Sequence, residues 1–181
     1  DAIIANHDSK ELSENIFVKF LQQMAHLFMN SYAQLINNSC NGLVSLLKSN
    51  IIDQTLFDEK SPDAPKITEA SAVVVGYVKE FLESLHNYNI SQAIINKAVK
   101  QLFNFIDITL FNEILFRNGI CSSANGSQLK IRVDHLETEL YKCTDVQGRL
   151  NLVRQAINVL IHDKKSLMNE QTRRKLTPNL N

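Results

Sequence analysis

Apolar positions recur at helical spacing over most of this chain, most densely between Ile90 and Cys121. Ile94, Ile95, Ala98, Val99, Leu102, Phe103, Ile106, Leu110, Ile114 and Leu115 follow the period of roughly 3.6 residues that marks one face of an α-helix. From Leu102 onward Phe105, Ile108, Phe111 and Phe116 fill the other faces, and a helix apolar nearly all round has to be wrapped by its neighbours. The Ser91 hydroxyl is placed to cap its start. The dense part is about 15 residues, short of the roughly 18–20 a bilayer needs, and it holds Asp107 and Glu113. The pattern predicts an all-α protein, an elongated multi-helix bundle around one buried central helix.

Upstream, Asp1 to Ser9 reads as a polar lead-in, with Ser9 or Ser13 as a cap. A wide stripe of Ile16, Phe17, Phe20, Leu21, Met24, Leu27, Phe28, Tyr32, Leu35 and Ile36 predicts a long helix with core-filling side chains. Leu43, Val44, Leu46, Leu47, Ile51 and Ile52 predict a second, shorter one over residues 41–52. The period then fails across 53–66, which is acidic and carries Pro62 and Pro65, so this is an exposed loop. Thr68 is a cap for a helix over 69–86, where helical spacing overrules the strand propensity of Val73 to Val75. The short turn at Asn87 to Asn89 predicts antiparallel neighbours on either side of it. Asn118-Gly119 and Ser122 to Ser127, with its Asn125-Gly126 pair, read as breaks. Leu129, Val133, Leu136 and Leu140 mark the next helix, with Glu137 and Glu139 exposed; a loop at 144–148 and a helix over 149–162 follow. The tail has one short helix and an apolar row at Leu167, Met168, Leu176 and Leu180 that calls for more chain.

Composition narrows the function. The 181 residues balance 19 Lys and Arg against 19 Asp and Glu, so no overall field favours nucleic acid or membrane insertion. Cys40, Cys121 and Cys143 lack ligand spacing, and their odd number fits free thiols better than a disulfide framework. No charged-then-apolar leader opens the chain, and the glycosylation-type triplets at Asn37, Asn89 and Asn125 read as coincidence. No phosphate loop, HExxH, paired CxxC or GxSxG is present. Asp107 and Glu113 fall on roughly opposite faces and cannot share a metal; they read as polar contacts or a solvent-facing edge. His26 reads as a surface or core-edge residue and His135 as part of a solvated face. The expectation is therefore binding without catalysis, metal or cofactor. The basic run Lys164, Lys165, Arg173 and Arg174 reads first as a solvated face and otherwise as a contact for phosphate or an acidic partner.

The stretch from the central helix onward resembles the dilute (DIL) domain, the cargo-binding globular tail of class V myosins and their plant class XI relatives. The likeness is carried by VKQLFNFIDITLFNEILFRNGICSSANGSQLKIRVDHLETEL (99–140) and LVRQAINVLIHDKK (152–165). Within them Asn112, Leu115, Arg117, Cys121, Ser122, Gly126, Gln128, Leu136, Glu137, Gln155, Ala156, Val159 and Leu160 match the pattern. Residues 17–53 look like the helices before that family's variable loop. By this resemblance 1–53 are those helices, 54–66 the loop and 67–181 the core dilute region, with the last helices of the tail missing. Ser123 and Glu139 stand where the family has an aromatic and a Trp, a departure that suits a divergent member.

The resemblance implies a cytoplasmic cargo tail of a class V-like actin motor, bound to vesicle or organelle receptors and Rab GTPases, and dimeric through a coiled coil outside this chain. A non-motor, afadin-like scaffold is the alternative. By position, the vesicle and Rab surface of yeast-type members falls on Ser127, Ile131, Asn158 and Ile161. Ile131 lies off the Leu129–Val133–Leu136 stripe, which makes it a candidate contact, a core-edge role being the other reading for it and for Ile161. The protein's own motor head is a further implied partner, although Asn118 replaces the Lys with which vertebrate tails dock on it.

Overall fold

The computed structural model describes residues 2–55, 67–144, 150–162 and 165–178, without the side chains of residues 2–14, 67 and 166. Its regular elements are all helical: α1 (Ala2–Leu47), a π-helical turn (Lys48–Ile52), α2 (Asp53–Thr55), α3 (Ile67–Asn87), α4 (Gln92–Phe116), α5 (Ser123–Cys143), α6 (Asn151–Ile161), a 3-10 turn (Ser166–Met168) and α7 (Glu170–Leu176). Most of the acidic loop and of the loop at 144–148 lies outside the described residues. The chain divides into two units, Asp1–Asn38 and Ser39–Asn181.

The first unit is a single helix, and it corrects two expectations. The polar lead-in is already helical from Ala2. The stripe expected to fill a core is open to solvent: Ile16, Phe17, Phe20, Leu21, Met24, Leu27 and Phe28 are 49–61% exposed. The two helices expected on either side of residue 40 are one, because Asn37-Asn38-Ser39-Cys40 contains neither Gly nor Pro to end it. Gly42 comes where α1 meets Tyr77, whose ring occupies the place a Cβ would take. The Tyr77 hydroxyl donates to the Ser39 carbonyl at 3.2 Å.

The second unit holds the core. Along α4, Ile95, Ala98, Val99, Leu102, Phe103, Ile106, Leu110 and Ile114 are all buried. They share the interior with Leu43 and Leu47 of α1, Ile51 and Ile52 of the π turn, Val74, Val78 and Leu82 of α3, Leu129, Val133, Leu136 and Leu140 of α5, and Val153 and Ile157 of α6. The buried central helix is thus borne out, with one amendment. Ile108, Leu115 and Phe116 are exposed, Phe116 at 82%, and Phe105 and Phe111 are only half-buried, so α4 keeps an open face and its burial ends at Ile114.

Connections decide how the helices meet. Asn89 takes a left-handed φ of 53° between α3 and α4, a conformation Asn tolerates better than most residues. The short turn does not make them close partners, however: α3 packs mainly on α5, and α4 on α6. Ser91 begins α4 through its carbonyl, which accepts from the amides of Ile94 and Ile95 at 3.0 and 3.1 Å; its hydroxyl makes no cap bond, contrary to expectation. Thr68 likewise sits inside the first turn of α3. At the far end of α4, Gly119 takes φ +86° at the expected break. There Lys48 reaches Glu113 at 2.8 Å and Arg117 pairs with Asp53, tying the π turn and α2 to the end of α4.

Candidate functional site

The helix expected to begin near Leu129 starts six residues earlier. Ser122 is its cap, its hydroxyl accepting from the Asn125 amide at 3.1 Å. Asn125-Gly126 is therefore helical, and Gly126 is buried for a packing reason. A Cβ on it would lie 2.9 Å from the Leu160 Cβ and 3.1 Å from the Ile161 Cγ1. The absent side chain lets the N-terminal end of α5 touch the C-terminal end of α6.

That contact sets against each other the two helices that carry the sequence-derived positions. Ser127 follows Gly126 directly, is exposed, and donates its hydroxyl to the Ser123 carbonyl at 3.1 Å. Ile131, one turn on and on the same side of α5, is 50% exposed. Asn158 and Ile161, three apart on α6, are half-buried. The Asn158 carbonyl receives the His162 amide at 3.1 Å and ends the helix. Of the basic run, Lys165, Arg173 and Arg174 are exposed, Arg174 pairing with Glu170 at 2.6 Å. Lys164 lies outside the described residues.

Two buried carboxylates hold α6 in place, and sequence reasoning did not foresee either role. Leu150, at the N-terminal end of α6, supplies no side-chain cap. The amides there are met from other helices instead. Asp107 of α4 accepts from Leu152 at 3.0 Å and Val153 at 2.9 Å, and Glu137 of α5 accepts from Leu150 at 3.0 Å. Both negative groups face the positive end of the α6 dipole. Glu137 also accepts from the Tyr141 hydroxyl at 2.9 Å and the Arg154 Nε at 2.9 Å, and Arg154 reaches Asp134 at 2.7 Å.

Glu137 is thus buried, not exposed as its sequence neighbourhood suggests. Burial alone would raise its pKa, but the Leu150 amide, Tyr141 and Arg154 together hold it below the ordinary carboxylate value. For Asp107 burial wins over its amide donors and pushes the carboxyl up. The one sequence clue was Asp107 itself, a charge inside an otherwise apolar run. His135 also departs from a plain solvated face, since its Nδ1 is buried without a hydrogen-bond partner. Among the described residues no group of three or more His, Cys, Asp and Glu is gathered as a metal site, and no helix is long and apolar enough to cross a membrane.

This surface belongs to a segment whose ancestry the sequence reveals. Residues 97–181 match the DIL domain family, a span that takes in α4 from its second turn, α5, α6 and α7. They form a DIL domain. The chain is 32% identical to Protein OPAQUE1 of Zea mays over 113 residues, 59% of this chain and 7% of that protein. It is 32% identical to Myosin-11 of Arabidopsis thaliana over 111 residues, 58% and 7% of the two chains. With the Myosin-H heavy chain of Dictyostelium discoideum it shares 30% over 103 residues, 54% and 6%. The chain thus spans well under a tenth of the length of these relatives. No solved structure matches it. Asp107, Gly126, Glu137 and the four surface positions all fall inside the DIL domain.

Proposed function

We propose that this chain is part of the cargo-binding tail of a class V-like myosin. In this reading it grips vesicle or organelle receptors and Rab GTPases through the face formed by Ser127, Ile131, Asn158 and Ile161. It performs no catalysis there. The observation that supports the reading is the Gly126 contact, which packs the two helices carrying those residues against each other within a DIL domain. An exposed Ile beside small and amide side chains suits a partner that brings its own apolar group. Lys165, Arg173 and Arg174, all exposed beyond α6, supply positive charge that suits an acidic partner. Relatives that carry the name myosin favour a motor tail over the afadin-like scaffold. The same reading places the protein in the cytoplasm on actin and vesicle surfaces, dimeric through a coiled coil elsewhere, with its own motor head as a further partner.

The test is recovery of Rab GTPases and vesicle receptors from cytosol on immobilised wild-type and Ile131→Glu chains of equal helicity. A charge at the centre of a small interface typically costs about 2 kcal/mol or more, so recovery is expected to fall at least about tenfold. Equal recovery would overturn the assignment of this face.

A further inference from the structure

Beside the Ile131 face, a groove of about 820 Å³ opens between the N-terminal end of α5 and the C-terminal end of α6. Its walls are apolar where Val159, Leu160, Ile161 and Leu167 line it, and Ser122 and His162 stand at its polar edge. The chain as a whole is neutral, yet its charges are not evenly spread. Between Arg117 and Val133 the charged residues are Arg117, Lys130 and Arg132; Arg117 is held by Asp53 and Glu113 and Arg132 is buried, which leaves the exposed Lys130, and the first carboxylate of α5 is Asp134, beyond the groove end of that helix. On α6 the single charge, Arg154, is engaged by Glu137 and Asp134. Past the groove the sequence sets Asp163 and Glu170 against five cations, Lys164, Lys165, Arg173, Arg174 and Lys175; of the described ones Lys165, Arg173, Arg174 and Lys175 are exposed, and Arg174 takes Glu170. The groove therefore has apolar walls, cationic flanks and the positive end of a 21-residue helix at its mouth.

We propose that this groove receives a short acidic peptide segment of the cargo adaptor. One large apolar side chain of that segment seats among Val159, Leu160, Ile161 and Leu167, and its flanking carboxylates face α7 and the start of α5. Apolar walls with room for a side chain favour a peptide over an anionic bilayer, whose headgroups would meet only the cations. The identity of the partner as a cargo adaptor rests on the tail reading above; the groove chemistry does not.

The probe is a phage library of peptides randomised over about twelve positions, selected on the whole chain. Enrichment of sequences that combine Asp and Glu with Leu, Phe or Ile is expected. Selected peptides should bind about fivefold or more weakly to Arg173→Glu/Lys175→Glu, and weaken similarly when salt is raised from about 0.05 to 0.5 M. Leu167→Asp should weaken them as strongly. If that variant fails to fold by circular dichroism, the exposed Arg173 and Lys175 pair still decides. No enrichment, enrichment without acidic bias, or unchanged affinity for the charge-reversed protein would each overturn the proposal. So would co-sedimentation with phosphatidylserine vesicles in the absence of peptide binding, which would assign the cations to lipid. Ile131→Glu separates the two ideas. Ile161 belongs to both surfaces, but Ile131 does not line the groove, so this variant should leave peptide affinity unchanged while lowering Rab recovery.

Discussion

Glu137 shows how much of this molecule depends on single polar side chains in an apolar setting. It lies on the same helix as the exposed Lys130 and Lys142 and the half-buried Glu139, yet only 5% of it is exposed. Its neighbours in sequence do not reveal this. The decisive partners, the Leu150 amide and Arg154, come from 13 and 17 residues away and meet it only once α6 is docked. Asp107 was easier to suspect, because a carboxylate inside a buried run needs donors, but the sequence could not say which amides provide them. A depressed folded pKa means that Glu137 contributes stability above its ordinary value of 4.5, which is lost as pH falls through the lower folded value. Asp107 has the opposite sign, being raised, so its ionisation opposes folding as pH climbs through and above 3.8. Glu139, lowered by its hydrogen bond from Lys142, has the same sign but is far less buried, so the larger share of the acid limb is assigned to Glu137. Urea midpoints measured between about pH 3 and 7 should fall on acidification in wild type and fall less steeply in Glu137→Gln. An equal slope in both would place the acid sensitivity elsewhere. Glu137→Ala at neutral pH, which strands the Leu150 amide and Arg154, should cost about 3 kcal/mol.

Helices were legible wherever a repeat of apolar positions continued for several turns; their ends and partners were less so. Spacing alone identified α3, α4 and α6, and the strand-like Val73 to Val75 is indeed helical. It misplaced the start of α5 by reading Asn125-Gly126 as a turn, since the reason for Gly126 is a contact with residues more than 30 positions away. It also took the stripe on α1 as core, because periodicity reports that a face is apolar and not what covers it. The same limit applies at the end of α4, where the pattern runs on past Ile114 but burial does not. Two truncations on that one helix measure the difference. Leu110, with no exposed surface, should lose about 3 kcal/mol as Leu110→Ala, the usual cost of emptying a closed core site. Phe116, at 82% exposure, should change by no more than about 0.5 kcal/mol as Phe116→Ala. Chemical denaturation of both variants gives the comparison, and similar losses would mean that the buried segment of α4 extends to its C-terminal end.

At the scale of the whole molecule, the two units differ in what holds them. Every buried side chain among the described residues belongs to Ser39–Asn181, starting with Ser39 and Cys40 and ending with Ile157. The core of that unit is closed by its own residues, including Leu43 and Leu47 from the last turns of α1. The Asp1–Asn38 unit contributes none of them. Along its described residues the rings of Phe28 and Tyr32 stack with centroids 6.3 Å apart, a pairing within one helix. Isolated helices gain little beyond such local terms, and they unfold gradually because no shared core makes the loss of one turn cost the next. A chain beginning at Ser39 should therefore keep a single cooperative thermal transition, with a midpoint within about 5 °C of the full chain. It should also keep the Ile131-dependent recovery of partners, since Ser127, Ile131, Asn158 and Ile161 all stand on the retained unit. A peptide of residues 2–38 should show weak ellipticity that fades without a midpoint. Loss of the cooperative transition in the shortened chain would show that residues 1–38 help close the core, and the division of stability argued here would be wrong.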